Sequence, residues 1–122
     1  MRNSNDQLFP TAGDMSLASV TSEIVNLENI LFLAIQAIWT GTPTGTIKLQ
    51  ASCDVGRANT GNLDGVGVSN WTDVASATLA PAGSASSGFI ELKESGFKWA
   101  RLVYTRSGGS GSLTARFNAK GV

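Results

Sequence analysis

Histidine is absent from these 122 residues, and cysteine and tyrosine occur once each. Without an imidazole there can be no Ser-His-Asp or Cys-His nucleophilic system and no histidine-ligated zinc site. Cys53 alone cannot close a disulfide within the chain, which removes the disulfide-scaffold class of small secreted domains. With no histidine to activate it, this thiol is expected to be a small buried or half-buried packing group. Long apolar runs are missing too. The longest, "ILFLAIQAIW" at 30–39, is about half the ~20 residues that a membrane-spanning helix needs, and Gln36 interrupts it. The opening "MRNSNDQLFPTAGD" has no apolar stretch after Arg2, so no signal peptide is expected, and a soluble protein made in a cytoplasm is.

Lysine and glutamate, the usual coating of exposed helices, are also scarce, while glycine (14 residues), threonine, serine and valine abound. That balance points to an all-β domain. The length suits a single one, large enough to bury roughly two thirds of its unfolded surface. Net charge is zero, yet residues 1–73 hold seven acids against three bases and residues 74–122 hold six bases against two acids. Halves of opposite sign can attract one another within or between subunits, whereas a nucleic-acid binder would carry a basic excess. No nucleic-acid partner is expected.

Residues 1–13 read as a polar N-terminal arm that a neighbouring subunit would anchor, and residues 14–122 as the folded domain. Met15, Leu17 and Ser19 alternate in a first short strand. "SEIVNLENILFLAIQAIW" fits two periods, a helical stripe of Ile24, Leu27, Leu31 and Ile38 and an alternation of Leu31, Leu33, Ile35 and Ala37. The helix would leave Phe32 and Leu33 off its stripe and has no capping box, so two strands, 23–27 and 30–39, are preferred. "TGTPTGTIKLQAS" then places a Gly/Pro/Thr turn before the alternating Ile47, Leu49 and Ala51, a hairpin signal. "CDVGRANTGNLDGVGVSN" is a long loop, a length that is usually functional or ordered by a partner. Trp71 and Val74 anchor the edge of a strand in "WTDVASATL", 80–88 is a small-residue linker, and "FIEL" is a short strand. Finally "FKWARLVYTR" and "SLTARFNA" are expected to pair across "SGGSG" as a hairpin with a flexible tip. Eight or so short strands with turns between them predict an antiparallel β-sandwich of jelly-roll type.

Chemistry is sparse in this pattern. Glu91 with Glu94, and Asp64 with Asp73, could only act as acid–base pairs in contrasting environments, which nothing in the sequence enforces, so they read as solvated surface acids. Asp54, Asn59, Asn62 and Asp64 offer oxygen ligands for calcium but lack EF-hand spacing, and their simpler role is to favour turns. No enzyme activity, cofactor or metal is expected. Trp39, Trp71 and Trp99 could stack on a sugar, although their positions in or beside strands suit packing better. On "FKWARLVYT" both alternating faces are largely apolar, as in a central strand or one that another chain covers.

"TIKLQASCD", "NWTDV" and "FKWARLVYT", spread over 46–105, resemble the discoidin-like, galactose-binding-like β-sandwich pattern. "LAIQAIWTGTPTGTIKLQAS" joined to "GFKWARLVYTRSGGSGSLTARFNAKG" is similar to the small β-sandwich structural proteins of tailed bacteriophages, which serve as capsid decoration or cement proteins and as tail-associated modules. The resemblance implies a non-enzymatic virion protein assembled in the host cytoplasm. Its partners would be the major capsid protein or other virion proteins and further copies of itself, as a dimer or trimer, with no membrane partner. Candidate contacts are Arg2, Leu8 and Phe9 of the arm, Arg57 of the long loop, and Arg106 and Arg116 on either side of the tip, the arginines pairing with carboxylates of the neighbour. Arg101 is expected to be half-buried and paired with a carboxylate of its own chain. The alternative is a tail-associated or surface carbohydrate-binding module.

Overall fold

The computed structural model describes residues 3–9, 12–27, 30–53, 69–93 and 96–121, with backbone only for 3–7. Its strands in chain order are β1 (Asn3–Gln7), β2 (Gly13–Asp14), β3 (Ser19–Thr21), β4 (Val25–Asn26), β5 (Phe32–Gly41), β6 (Thr44–Ser52), β7 (Thr72–Leu79), β8 (Ser86–Lys93), β9 (Trp99–Gly108) and β10 (Gly111–Lys120). They form two antiparallel sheets, and among the described residues there is no helix. In the first sheet, β1 and β2 share one side of β10, followed by β5 and β8; in the second, β3 and β4 share one side of β9, followed by β6 and β7. Counting each split pair as one position, both sheets are four strands wide, with the strand order of a jelly roll. The expected all-β sandwich is therefore the fold.

Alternation decides the ambiguous segment in favour of strands. Leu33, Ile35, Ala37 and Trp39 of β5 face inward, where they meet Ile47 and Leu49 of β6, Ala100, Leu102 and Tyr104 of β9, and Leu113, Ala115 and Ala119 of β10. A strand displays this period-2 set on one face, which a helix could not do. Farther back, Val25 and Leu27 are buried at and beyond β4. Between β3 and β4 the side chain of Ser22 completes the ladder: its backbone N–H donates to the Leu102 carbonyl, and its hydroxyl accepts from the Leu102 N–H at 2.8 Å.

Several expectations change. Residues 3–9, expected as part of an arm anchored by a neighbouring subunit, are held by their own chain. β1 pairs with β10 from Asn3 opposite Lys120 to Gln7 opposite Arg116, and Leu8 and Phe9 enter the core at 1% and 6% exposure. The anchor is the chain's own sheet, because two large apolar side chains in succession find more cover there than at any surface.

The second change concerns the two predicted hairpins. β5 and β6 belong to different sheets, as do β9 and β10, and the true partners are β5 with β10 and β6 with β9. Each turn is thus a corner joining the sheets. The corners nest: the Thr42 N–H donates to the Ser110 carbonyl at 2.8 Å. Glycine permits this approach. Gly41 and Gly109 have φ of 82° and 69°, and a Cβ on Gly109 would collide with the Thr42 carbonyl. "SGGSG" is therefore a corner between the sheets, tied by its backbone to the other corner, and not the tip of a hairpin.

Third, the small-residue stretch after β7 is shorter than 80–88, because β8 begins at Ser86. Cys53 also departs from expectation. It lies just past the end of β6 and is exposed, its Sγ 4.0 Å from the Gly96 carbonyl.

Candidate docking faces

With the inner faces committed to the core, function must come from the outer faces, the edges or the loops. On the second sheet the outer face is knitted together by side chains. Gln50 of β6 stands opposite both Asp73 of β7 and Arg101 of β9, so its amide can serve two neighbours at once. It does so: the Gln50 Nε2 donates to Asp73 Oδ1 at 3.0 Å, and the Arg101 Nε donates to Gln50 Oε1 at 2.9 Å. Lys48 closes the group with a 3.3 Å contact to Asp73 Oδ2, and the Arg101 guanidinium lies over the Trp71 ring, 4.3 Å from its centroid. The Gln50 hydrogen bond first, and Lys48 second, hold the Asp73 carboxyl below its ordinary pKa, while burial lowers that of Arg101.

Arg101 is half-buried, as expected, but its hydrogen-bond partner among the described residues is an amide, with the carboxylate one link further on. Trp99 and Trp39 are buried, at 0% and 5% exposure. Trp39 belongs to the core and donates its Nε1–H to the Ser84 carbonyl at 3.1 Å. The apolar second face of "FKWARLVYT" is thereby accounted for, since β9 lies between β3/β4 and β6 and this face carries the Trp99 and Arg101 groups.

The outer face of the first sheet is built otherwise. Register places Phe32 of β5 between Lys93 of β8 and Lys120 of β10, Ala34 between Glu91 and Asn118, Gln36 between Phe89 and Arg116, and Ile38 between Ser87 and Thr114. Phe89 is 64% exposed, Phe32 43% and Ile38 36%. A cleft of about 260 Å³ opens beside Phe32, lined also by Ala34, Glu91, Lys93, Asn118 and Lys120. Among the described residues the one salt bridge is Lys48 with Asp73, so no described carboxylate pairs with Arg116, Lys93 or Lys120.

The predicted contact residues scatter. Arg116 occupies the middle of this exposed face. Arg106 instead closes its own corner, donating from Nε to the Gly109 carbonyl at 2.8 Å. Leu8 and Phe9 are spent in the core, so their side chains are not offered to a neighbour. Arg2, Arg57, the loop residues Asp54, Asn59, Asn62 and Asp64, and Glu94 lie outside the described residues. Sequence reasoning missed Phe32, Ile38 and Phe89. The signal was available for two of them: once Leu33, Ile35 and Ala37 are assigned inward, the same alternation turns Phe32 and Ile38 out. Among the described residues no cluster of three or more carboxylate or thiol groups is placed to hold a metal ion.

No protein-family model matches the chain, and no curated protein matches it in sequence. Solved structures do resemble it in fold. The SPBc2 prophage-derived protein YomS is 10% identical, with 98% of this chain and 95% of that one covered at a TM-score of 0.54. PirA is 12% identical, with 97% and 93% covered at a TM-score of 0.51. A chitosan-binding module from a Paenibacillus chitosanase/glucanase is 17% identical over 98% and 94%, at a TM-score of 0.45. At such identities the likeness is one of fold alone.

Proposed function

We propose that this chain is a non-enzymatic structural protein of a bacteriophage-type virion, a decoration or cement protein that binds the outside of an assembled capsid lattice. The observation that carries the reading is the outer face of the first sheet. Phe32, Ile38 and Phe89 remain exposed there although both inner faces already provide a core, and Arg116 stands among them without a described carboxylate partner. Apolar side chains set among three cations, Lys93, Arg116 and Lys120, and one acid, Glu91, suit a partner surface that offers mostly acids around apolar contacts. The fold shared with a prophage-derived protein is compatible with that setting.

Its mechanism is linkage. A protein that binds the closed shell and not the dissociated subunits stabilises the shell by mass action, without chemistry. The test compares particles with and without this chain on heating and at low salt. Particles that lack it should open at lower temperature; equal survival would reject the proposal. The carbohydrate-binding alternative calls for an exposed tryptophan platform. No observation favours it, since Trp39 and Trp99 are buried and the Trp71 ring carries Arg101.

A further inference from the structure

A sandwich of two open sheets has four edges, and here three are interrupted. The β10 side of the first sheet is split between β1 and β2, and the β9 side of the second between β3 and β4. β7 is deformed where it pairs with β6: Lys48 faces Thr78 and Gln50 faces Asp73, so residues 74–77 form a bulge opposite Leu49, with Ser76 at φ 62° and Ala77 still buried in the core. Splits and bulges of this kind stop an edge from recruiting another strand.

β8 has no such device. It pairs with β5 without a register shift from Ser86 opposite Trp39 to Lys93 opposite Phe32, and it contains no proline. Among the described residues no backbone hydrogen bond reaches its other side. The most exposed of the exposed large apolar side chains, Phe89, sits near its middle.

We infer that β8 is a dimerisation edge, pairing antiparallel with β8 of a second copy about a two-fold axis at Phe89. A second copy is the occupant because the strand is self-complementary in that register. Phe89 meets Phe89 of the partner copy, Ser87 stands opposite Glu91, Gly88 opposite Ile90 and Ser86 opposite Leu92, so no like charges oppose. A one-residue slip would place Phe89 opposite an inward position and is excluded by the pleat. A dyad of this type lies perpendicular to the sheet, so the outer faces of both first sheets share one side. The exposed Phe32, Ile38 and Arg116 sets then form one continuous surface of double width.

The test needs no capsid, so its outcome is independent of the proposed virion role. Sedimentation of the whole chain should show a concentration-dependent dimer. Phe89→Glu and Phe89→Lys should each weaken it by about tenfold or more while remaining folded by circular dichroism, and an equal mixture of the two variants should restore the dimer. In a Cys53→Ser background, Phe89→Cys should crosslink on mild oxidation and Ala75→Cys, on the bulged edge, should not. A chain that stays monomeric to millimolar concentration overturns the inference, as does a dimer indifferent to Phe89→Glu or one that fails to crosslink through residue 89.

Discussion

The two outer faces of this sandwich have nearly opposite characters. On the second sheet, polar groups satisfy one another: Lys48, Asp73, Gln50 and Arg101 form a chain that ends on the Trp71 ring. On the first, charged groups stand beside exposed aromatics without described partners of opposite sign. A face whose polar side chains are already engaged gives a newcomer little to gain, since each bond made to it must replace one. A face with exposed apolar area and unengaged cations offers both desolvation and pairing. On the proposed role, the first sheet is the face that would dock.

Four substitutions sharpen this contrast. Both faces rest on one core, so the largest effect belongs beneath them. Leu8→Ala should lower unfolding stability by about 2–5 kcal/mol in a denaturant titration, and a loss near zero would contradict the burial of Leu8 in the chain's own core. Arg101→Ala breaks the link between Gln50 and Trp71 and should cost about 1–2 kcal/mol of stability with capsid affinity unchanged. Arg116→Glu should behave in the reverse manner: stability within about 0.5 kcal/mol of the parent, but shell binding weakened about tenfold when a cation is replaced by an anion. If the two arginine variants exchanged these phenotypes, the faces would have been assigned backwards.

Acid gives the smallest effect. The folded state holds the Asp73 carboxyl below its ordinary pKa, so its contribution is present above the unfolded value and is lost as pH falls through the folded one. The thermal midpoint should therefore decline on acidification below about pH 4, and Asp73→Asn should make that decline shallower. Asp14, lowered by hydrogen bonds from the Ser16 side chain and backbone, keeps its share of the slope in both proteins.

Strand identity was legible because alternation is local. Leu33, Ile35 and Ala37, or Ile47, Leu49 and Ala51, declare an inward face within five residues. Pairing was not legible, because it depends on residues far apart in the chain. "GTPTG" and "SGGSG" signal a reversal, but a tight reversal within one sheet and a corner between two use the same Gly and Pro chemistry. What distinguishes them here is their mutual contact, Thr42 on Ser110, which no single segment contains. Arg106 and Arg116 looked equivalent for the same reason. They flank one turn in the sequence, yet one braces that turn and the other lies on the opposite sheet, beside Gln36. Leu8 and Phe9 were misplaced because two apolar residues in a polar leader fit an intersubunit anchor and an edge strand's continuation equally well.

The most direct measurement is a cryo-EM map of decorated shells at side-chain resolution. The first-sheet face should lie against the capsid surface, with Phe32 and Ile38 covered and Arg116 beside a capsid carboxylate. Contact through the Lys48–Asp73 face instead, or shells that carry no density for this chain, would contradict the account.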